Sequence, residues 1–263
     1  MVLGLIQGLT EFLPVSSSGH LEIGKAVLGV QATDDLMFTT MVHAATVLST
    51  IVVFRKQIFD LLKGFFKFKY NDETDYLFKI AVSMIPIMIV GLFFKDQVES
   101  LFGSITVVGY ALLLTAVLLF FSDFASKPGK ELAPSCNPAR NGISYWQALV
   151  VGLGQALAVI PGLSRSGTTI STGLICGVRR DVMAQFSFLM VLIPILGESF
   201  LEVVGGEFAS SSVGALPLAV GFVSAFISGL FACKVMIALV KKAKLSWFAI
   251  YCLVASAVIF IFA

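Results

Sequence analysis

Two polar stretches in a strongly apolar chain carry the residue types that do phosphate chemistry. The first is Pro161-Gly-Leu-Ser-Arg-Ser-Gly-Thr-Thr169, flanked by QALAVI and ISTGLIC, which sets Arg165 at membrane depth. A guanidinium there costs about 2.5–3.5 kcal/mol on insertion scales, so it faces a cavity or a partner and marks a functional site. Ser164, Ser166, Thr168, Thr169 and the backbone N–H groups near Gly162 and Gly167 are the raw material of an anion nest. Serines and glycines alone are equally explained by close helix packing, but packing needs no buried cation. The second stretch is Pro14-Val-Ser-Ser-Ser-Gly19, with Glu11 before it and His20 after it. Gln7 and Glu11 are four apart and share a helix face. Together Glu11, His20, the serines and Arg165 offer a base, a proton carrier, a nucleophile and an anion clamp. Taken singly, Glu11 has a bland reading as a helix–helix hydrogen bond and His20 as a helix cap.

The elements that position these residues are membrane spans. The chain of 263 residues is 57% hydrophobic and 13% charged, against roughly 45–50% and 25% for soluble domains. It reads as an all-α polytopic membrane protein. A net charge of +2 without a basic stripe gives no reason to expect nucleic acid. Cys136, Cys176, Cys233 and Cys252 have no CxxC spacing, so neither zinc nor a disulfide framework is indicated. No Lys or Arg precedes Lys25, and the serine run follows at once, which predicts no cleaved signal peptide.

Six apolar stretches are long enough to cross, near 36–54, 78–95, 104–122, 183–201, 217–239 and 247–263. Two more, 1–30 and 146–178, are interrupted by the two polar stretches. The first has only thirteen residues before its break, about 20 Å of helix, too short to cross. Both predict re-entrant hairpins. Irregular backbone at that depth is tolerated only where protein buries it or water reaches it, so the two breaks should meet each other or a cavity. His43 and Glu198 are further polar groups inside spans, for contact with one another or with water.

A shift of 148 lays GLIQGL at 4–9 over GLGQAL at 152–157 and SSSG at 16–19 over SRSG at 164–167. A shift of 138 lays Ala81-Val82 and Gly91-Leu92-Phe93 over Ala219-Val220 and Gly229-Leu230-Phe231, and one of 141 lays Tyr110 and Leu112 over Tyr251 and Leu253. Three matches in one order predict two homologous halves within a single domain of 1–263: repeat one about 1–125 with hairpin 1–30, and repeat two about 146–263 with hairpin 146–178. Each half has three full spans, so the second is inverted, an architecture that places a site at the midplane. The segments 55–77, 123–145, 179–182 and 240–246 then share one side. They carry Arg55, Lys56, Lys63, Lys67, Lys69, Lys127, Lys130, Arg140, Arg179, Arg180, Lys241, Lys242 and Lys244, whereas the other side has Lys25 and Lys95. By the positive-inside rule the basic loops 55–77 and 123–145 are cytoplasmic, and the mouth between the hairpins is expected to face outward.

Gln7-Gly-Leu-Thr-Glu11, Phe-Leu-Pro-Val-Ser-Ser-Ser-Gly-His20 and Pro161-Gly-Leu-Ser-Arg-Ser-Gly-Thr-Thr169 together resemble the signature motifs of the undecaprenyl-diphosphatase family, the bacitracin-resistance-type phosphatases, and the resemblance spans essentially the whole chain. It implies six transmembrane helices with two re-entrant helical hairpins in inverted repeat, in a bacterial cytoplasmic membrane. The implied activity is hydrolysis of undecaprenyl diphosphate to the monophosphate carrier used for peptidoglycan. Carried over by motif, Glu11, Ser17, His20 and Arg165 are catalytic, and Gln7, Ser16, Ser164, Ser166, Gly167 and Thr169 bind substrate phosphate. Members are associated with Mg²⁺ or Ca²⁺. Here the first motif position is Gln7, which leaves Glu11 as the only motif carboxylate for a metal; hard cations often use substrate phosphate, so few protein ligands are expected. Members carry several more residues before the first motif, so either the first half-helix is short or Met1 is not the natural start. A polyprenyl diphosphate lipid is the expected partner, together with membrane lipid, and a homodimer is compatible with the sequence. Attack by Ser17 through a phosphoserine and direct attack by water both remain open. So does a transporter or flippase of polyprenyl phosphates, because broken helices in inverted repeats serve transport equally well.

Overall fold

The structure is a computed structural model that describes residues 1–29, 35–101, 104–126, 140–197 and 214–262, all helix and turn with no strand among them. The first break is built by chain chemistry. Helix α1 (Val2–Thr10) gives way to a turn through Pro14, and α2 (Ser17–Leu28) starts from Ser16. Ser16 Oγ accepts from Gly19 N at 3.2 Å, capping α2, and its backbone sits at φ 70. A non-glycine residue in that region is strained and persists where its surroundings fix it. The second break repeats the design. Helix α7 (Tyr145–Leu157) opens with a reciprocal cap between Ser144 and Gln147, and α8 (Arg165–Ile175) starts from Ser164, whose Oγ accepts from Gly167 N at 3.1 Å. Within each pair the two short helices pack against one another.

Around these pairs stand α3 (Asp35–Phe65), α4 (Asp72–Phe93), α6 (Ile105–Ala125), α9 (Arg180–Met190), α10 (Ala215–Lys242) and α11 (Ser246–Phe262), with a short α5 (Lys95–Glu99) after α4. Past Val191 the chain of α9 resumes as helix, so that Arg180–Gly197 forms one span. Among the described residues five helices are long and apolar enough to cross a membrane: Met37–Phe65, Asp72–Phe93, Ile105–Ala125, Arg180–Gly197 and Ala215–Val240. The sixth expected span, α11, has 17 residues, about 25 Å at 1.5 Å per residue, and falls short of that length. α3 overruns its expected end near residue 54 by eleven residues. Lys, Arg and Leu in FRKQIFDLLKGF are good helix formers, and leaving the hydrocarbon does not unwind a helix.

Small polar side chains are buried among the helices together with apolar ones, while many large apolar side chains face outward, unlike a soluble domain. Ser49, Ser83, Thr115, Ser122 and Ser171 are fully buried, while Leu92, Phe93, Phe231 and Ile261 are exposed. With lipid as solvent, helices associate through close packing and interhelical hydrogen bonds. α1 lies along α10 so closely that a Cβ on Gly4 would fall 2.4 Å from Gly221 O, and α7 lies along α4 with the Gly152 position 2.3 Å from Ser83 O. Exposed Trp146 and Trp247 open α7 and α11, as indole rings do at a membrane–water boundary. Two ionic junctions close the same end. Asp75 accepts from Lys79 (2.5 Å), Tyr70 (2.6 Å), Tyr145 (3.0 Å) and Asn141 (3.1 Å). Asp123 accepts from Arg180 (2.6 Å) and from Ser246. Cys233 and Cys252 are buried free thiols, Cys176 is a partly buried one, and Cys136 lies outside the described residues.

Candidate active site

The two breaks meet. Ser166 Oγ donates to Leu13 O at 3.1 Å, and Gly162 N donates to Ser18 Oγ at 3.3 Å. Ser164 N donates to Thr115 Oγ1 on α6, which fixes the second break against a span. α2 and α8 therefore begin beside one another, each with its first-turn amides, one of them held by the capping serine, and the positive end of its dipole. Such ends bind anions.

Next to the junction is a hollow of about 430 Å³, counting the part open to the outside. Its polar wall includes Glu11, Arg165, Ser166, Thr169, Ser187, Gln155, Thr46 and Thr50; its apolar wall is Phe12, Val47, Phe188, Val191, Leu192 and Ile195. Glu11 Oε2 accepts from Gln7 Nε2 at 2.8 Å and from Ser17 Oγ at 2.6 Å. The face shared by Gln7 and Glu11 is thus as the sequence predicts, and the nearest hydroxyl hands its proton side to the acid. Arg165 lies within electrostatic reach of that acid. Its Nη1 is buried without a hydrogen-bond partner, as are Gln155 Oε1 and Gln7 Oε1. A buried guanidinium nitrogen without an acceptor is costly unless an anion arrives.

The remaining sequence candidates have supporting positions. Ser16 and Ser164 cap α2 and α8, Gly167 supplies the amide that Ser164 holds, and Thr169 Oγ1 pairs with Ser187 Oγ at 2.6 Å. Neither Ser17 nor His20 lines the hollow itself; Ser17 reaches it through its hydrogen bond to Glu11, whereas His20 turns elsewhere. Its Nδ1 donates to Ser16 O at 2.7 Å, and its Nε2 is 2.6 Å from Tyr251 OH, the rings being stacked. His20 therefore ties the serine turn to α11. His43 is beside Glu11 instead, with Nε2 3.8 Å from Oε2, while Glu198 lies outside the described residues. Gln155 was missed as a site residue; its alignment with Gln7 at a shift of 148 was the available signal. Among the described residues Glu11 is the only carboxylate lining the hollow, and no three His, Cys, Asp or Glu side chains gather around one point. With Arg165 alongside, these residues do not by themselves make a resident metal site. A divalent cation would have to bring most of its oxygens with the substrate.

Apolar helices long enough to cross a membrane, around a hollow with one polar wall bearing Arg165 and Glu11 and one apolar wall, define a multi-pass membrane protein with an amphipathic chamber among its helices. Residues 1–258 match the family described as Bacitracin resistance protein BacA, and the chain belongs to it. The chain is 55% identical over 262 residues to an undecaprenyl-diphosphatase of Parabacteroides distasonis, covering 98% of this chain and 95% of that one. It is 54% identical over 265 residues to one of Bacteroides thetaiotaomicron (99% and 97% covered) and 37% identical over 256 residues to one of Methanococcus vannielii (97% and 96% covered).

Proposed function

We propose that this chain hydrolyses undecaprenyl diphosphate to undecaprenyl phosphate and inorganic phosphate, the activity named for its relatives, and so returns the lipid carrier to cell-wall synthesis and confers bacitracin resistance. One observation carries the chemistry: a partnerless buried Arg165 nitrogen lines the same hollow as a Glu11 carboxylate that already holds the Ser17 hydroxyl at 2.6 Å. The apolar wall suits the polyprenyl chain and the polar wall the diphosphate.

On this reading Arg165 and the first-turn amides of α8 bind the terminal phosphate and offset the charge that builds in the transition state. Ser17 Oγ attacks phosphorus in line as Glu11 takes its proton. The Oγ–P bond forms, and the bridging P–O bond breaks toward undecaprenyl phosphate. Water then attacks the phosphoserine, and Glu11 returns the proton to the departing Oγ. Gln7 steadies Glu11 from the other side, while Gln155, Ser166 and Thr169 complete the wall. His20 holds the turn that presents Ser17.

The six-span, two-hairpin inverted repeat, with 1–125 and 146–263 as its halves, has support of its own. Gly4 meets Gly221 and Gly152 meets Ser83; Gly152 is Gly4 shifted by 148, and Gly221 is Ser83 shifted by 138. The same contact recurs between exchanged partners, as two interlocked repeats require. The clustering of Lys and Arg beside the helix ends that bear Trp146 and Trp247 supports a cytoplasmic assignment for that end, in a bacterial cytoplasmic membrane, with the chamber opening outward.

Phosphate release from a polyprenyl diphosphate by purified protein in detergent tests the assignment. Wild type should release phosphate, and Glu11→Ala, Ser17→Ala and Arg165→Ala should each lose about a hundredfold or more of kcat. Headgroup translocation without any hydrolysis would instead make it a carrier. Full activity in Ser17→Ala would remove the covalent step.

A further inference from the structure

The Glu11 carboxylate has a neighbour that belongs to neither polar stretch. His43 sits on α3, with Nε2 3.8 Å from Glu11 Oε2, the same oxygen that accepts from Gln7 and Ser17. The other ring nitrogen, Nδ1, is 2.8 Å from Thr39 O. A carbonyl oxygen can only accept, so Nδ1 bears a proton, and the ring is oriented from within its own helix. Nε2 is the nitrogen left to face the acid.

The setting is built. The two side chains keep only 21% and 10% of their exposure. Thr46 and Thr50, three and seven positions beyond His43, line the hollow on the same helix face, and Thr46 Oγ1 donates back to His43 O at 2.7 Å. The chain has two histidines. His20 has both ring nitrogens occupied elsewhere, so of the two histidines only His43 offers a ring nitrogen to the acid.

We propose that His43 is the positioning residue of Glu11: from the α3 side it holds the carboxylate in line with the Ser17 hydroxyl, and it acts on the reaction only through that carboxylate. The proposal rests on the phosphatase reading above. At 3.8 Å the contact is longer than a hydrogen bond. Contacts around a catalytic acid commonly tighten when substrate fills the site. A bare Nε2 lone pair would repel the carboxylate oxygen, whereas a proton on Nε2 makes the approach attractive. The anchor of the acid is therefore split between two elements, Gln7 on α1 and His43 on α3.

The test measures kcat and KM for phosphate release, with thermal unfolding in detergent as a fold control, in wild type, His43→Leu, His43→Gln, Glu11→Gln and Glu11→Gln/His43→Leu. Loss of a hydrogen-bonded contact to a charged group predicts that His43→Leu lowers kcat by about tenfold or more with KM within about twofold. His43→Gln, whose Nε2 amide reaches toward the same carboxylate, recovers most of that loss. On top of Glu11→Gln, His43→Leu should cost less than about twofold, because residues acting through one another are not additive. A His43→Leu protein with wild-type kcat, or one with the same fractional loss in both Glu11 backgrounds, overturns the proposal. If His43→Leu does not fold, His43→Asn, too short to reach, replaces it, and equal activity of the Asn and Gln variants is the overturning result. Wild-type protein that releases no phosphate sinks the phosphatase reading and the role of His43 with it; an active wild type indifferent to His43 sinks only the latter.

Discussion

Arg165 brings a planar fork of donors to the hollow, and one of its terminal nitrogens is buried with nothing to bond. A lysine would supply the charge but neither the fork nor its bidentate grip on phosphate. Arg165→Lys should therefore keep the fold and lose at least about tenfold in kcat/KM, read in the phosphate-release assay beside an unchanged unfolding midpoint. At this scale the sequence was informative wherever partners are close along the chain. The i, i+4 spacing of Gln7 and Glu11 shows directly in a 2.8 Å hydrogen bond. Ser17, six residues beyond Glu11, is also in reach. His43 was not legible, because a lone histidine on an apolar helix gives no sign of which helix lies opposite. The Tyr251 partner of His20, 231 residues away, is hidden for the same reason.

Whole elements follow local rules where caps are present. Ser16, Ser104, Ser144 and Ser164 each cap the helix that follows, and the serines that looked like an anion nest are also what starts α2 and α8. The end of α3 escaped notice because apolarity, not helicity, stops at residue 54. Packing between elements is set by missing side chains. A Cβ at position 152 would meet the Ser83 carbonyl oxygen at 2.3 Å, whereas at Gly91 nothing stands within 4 Å. Gly152→Ala should thus separate α7 from α4 and destabilise by roughly 1–3 kcal/mol. Gly91→Ala, in an open helix interior, should be neutral or gain up to about 1 kcal/mol. Thermal unfolding of the two variants in one detergent provides the comparison, and equal midpoints would contradict the close approach.

The whole molecule is ordered by charge at its rim and small residues at its centre. With endogenous cysteines replaced, a cysteine at Lys67 should react with an impermeant maleimide only after the cytoplasmic side is exposed, and one at Lys95 should react in intact cells. The reverse pattern would invert the assignment, and labelling of both from one side would end the inverted-repeat reading. Five of the six expected spans were legible because lipid forces apolar runs of fixed length; α11 falls short because its 17 residues lie at the edge of that rule.

Ser17 and Arg165 fall at the same place when the chain is shifted by 148 residues, yet on the proposed mechanism one would carry the attacking oxygen and the other the cation that receives the phosphate. Each short helix pair is gripped by the opposite half, through Gly4 on Gly221 and Gly152 on Ser83. A forebear of half the length could not have closed this chamber alone; it would have needed a second copy inserted upside down. Both copies would then have shown one and the same residue at that place. If fusion of two such copies made this chain, the division of labour between hydroxyl and guanidinium is younger than the architecture that brings them together.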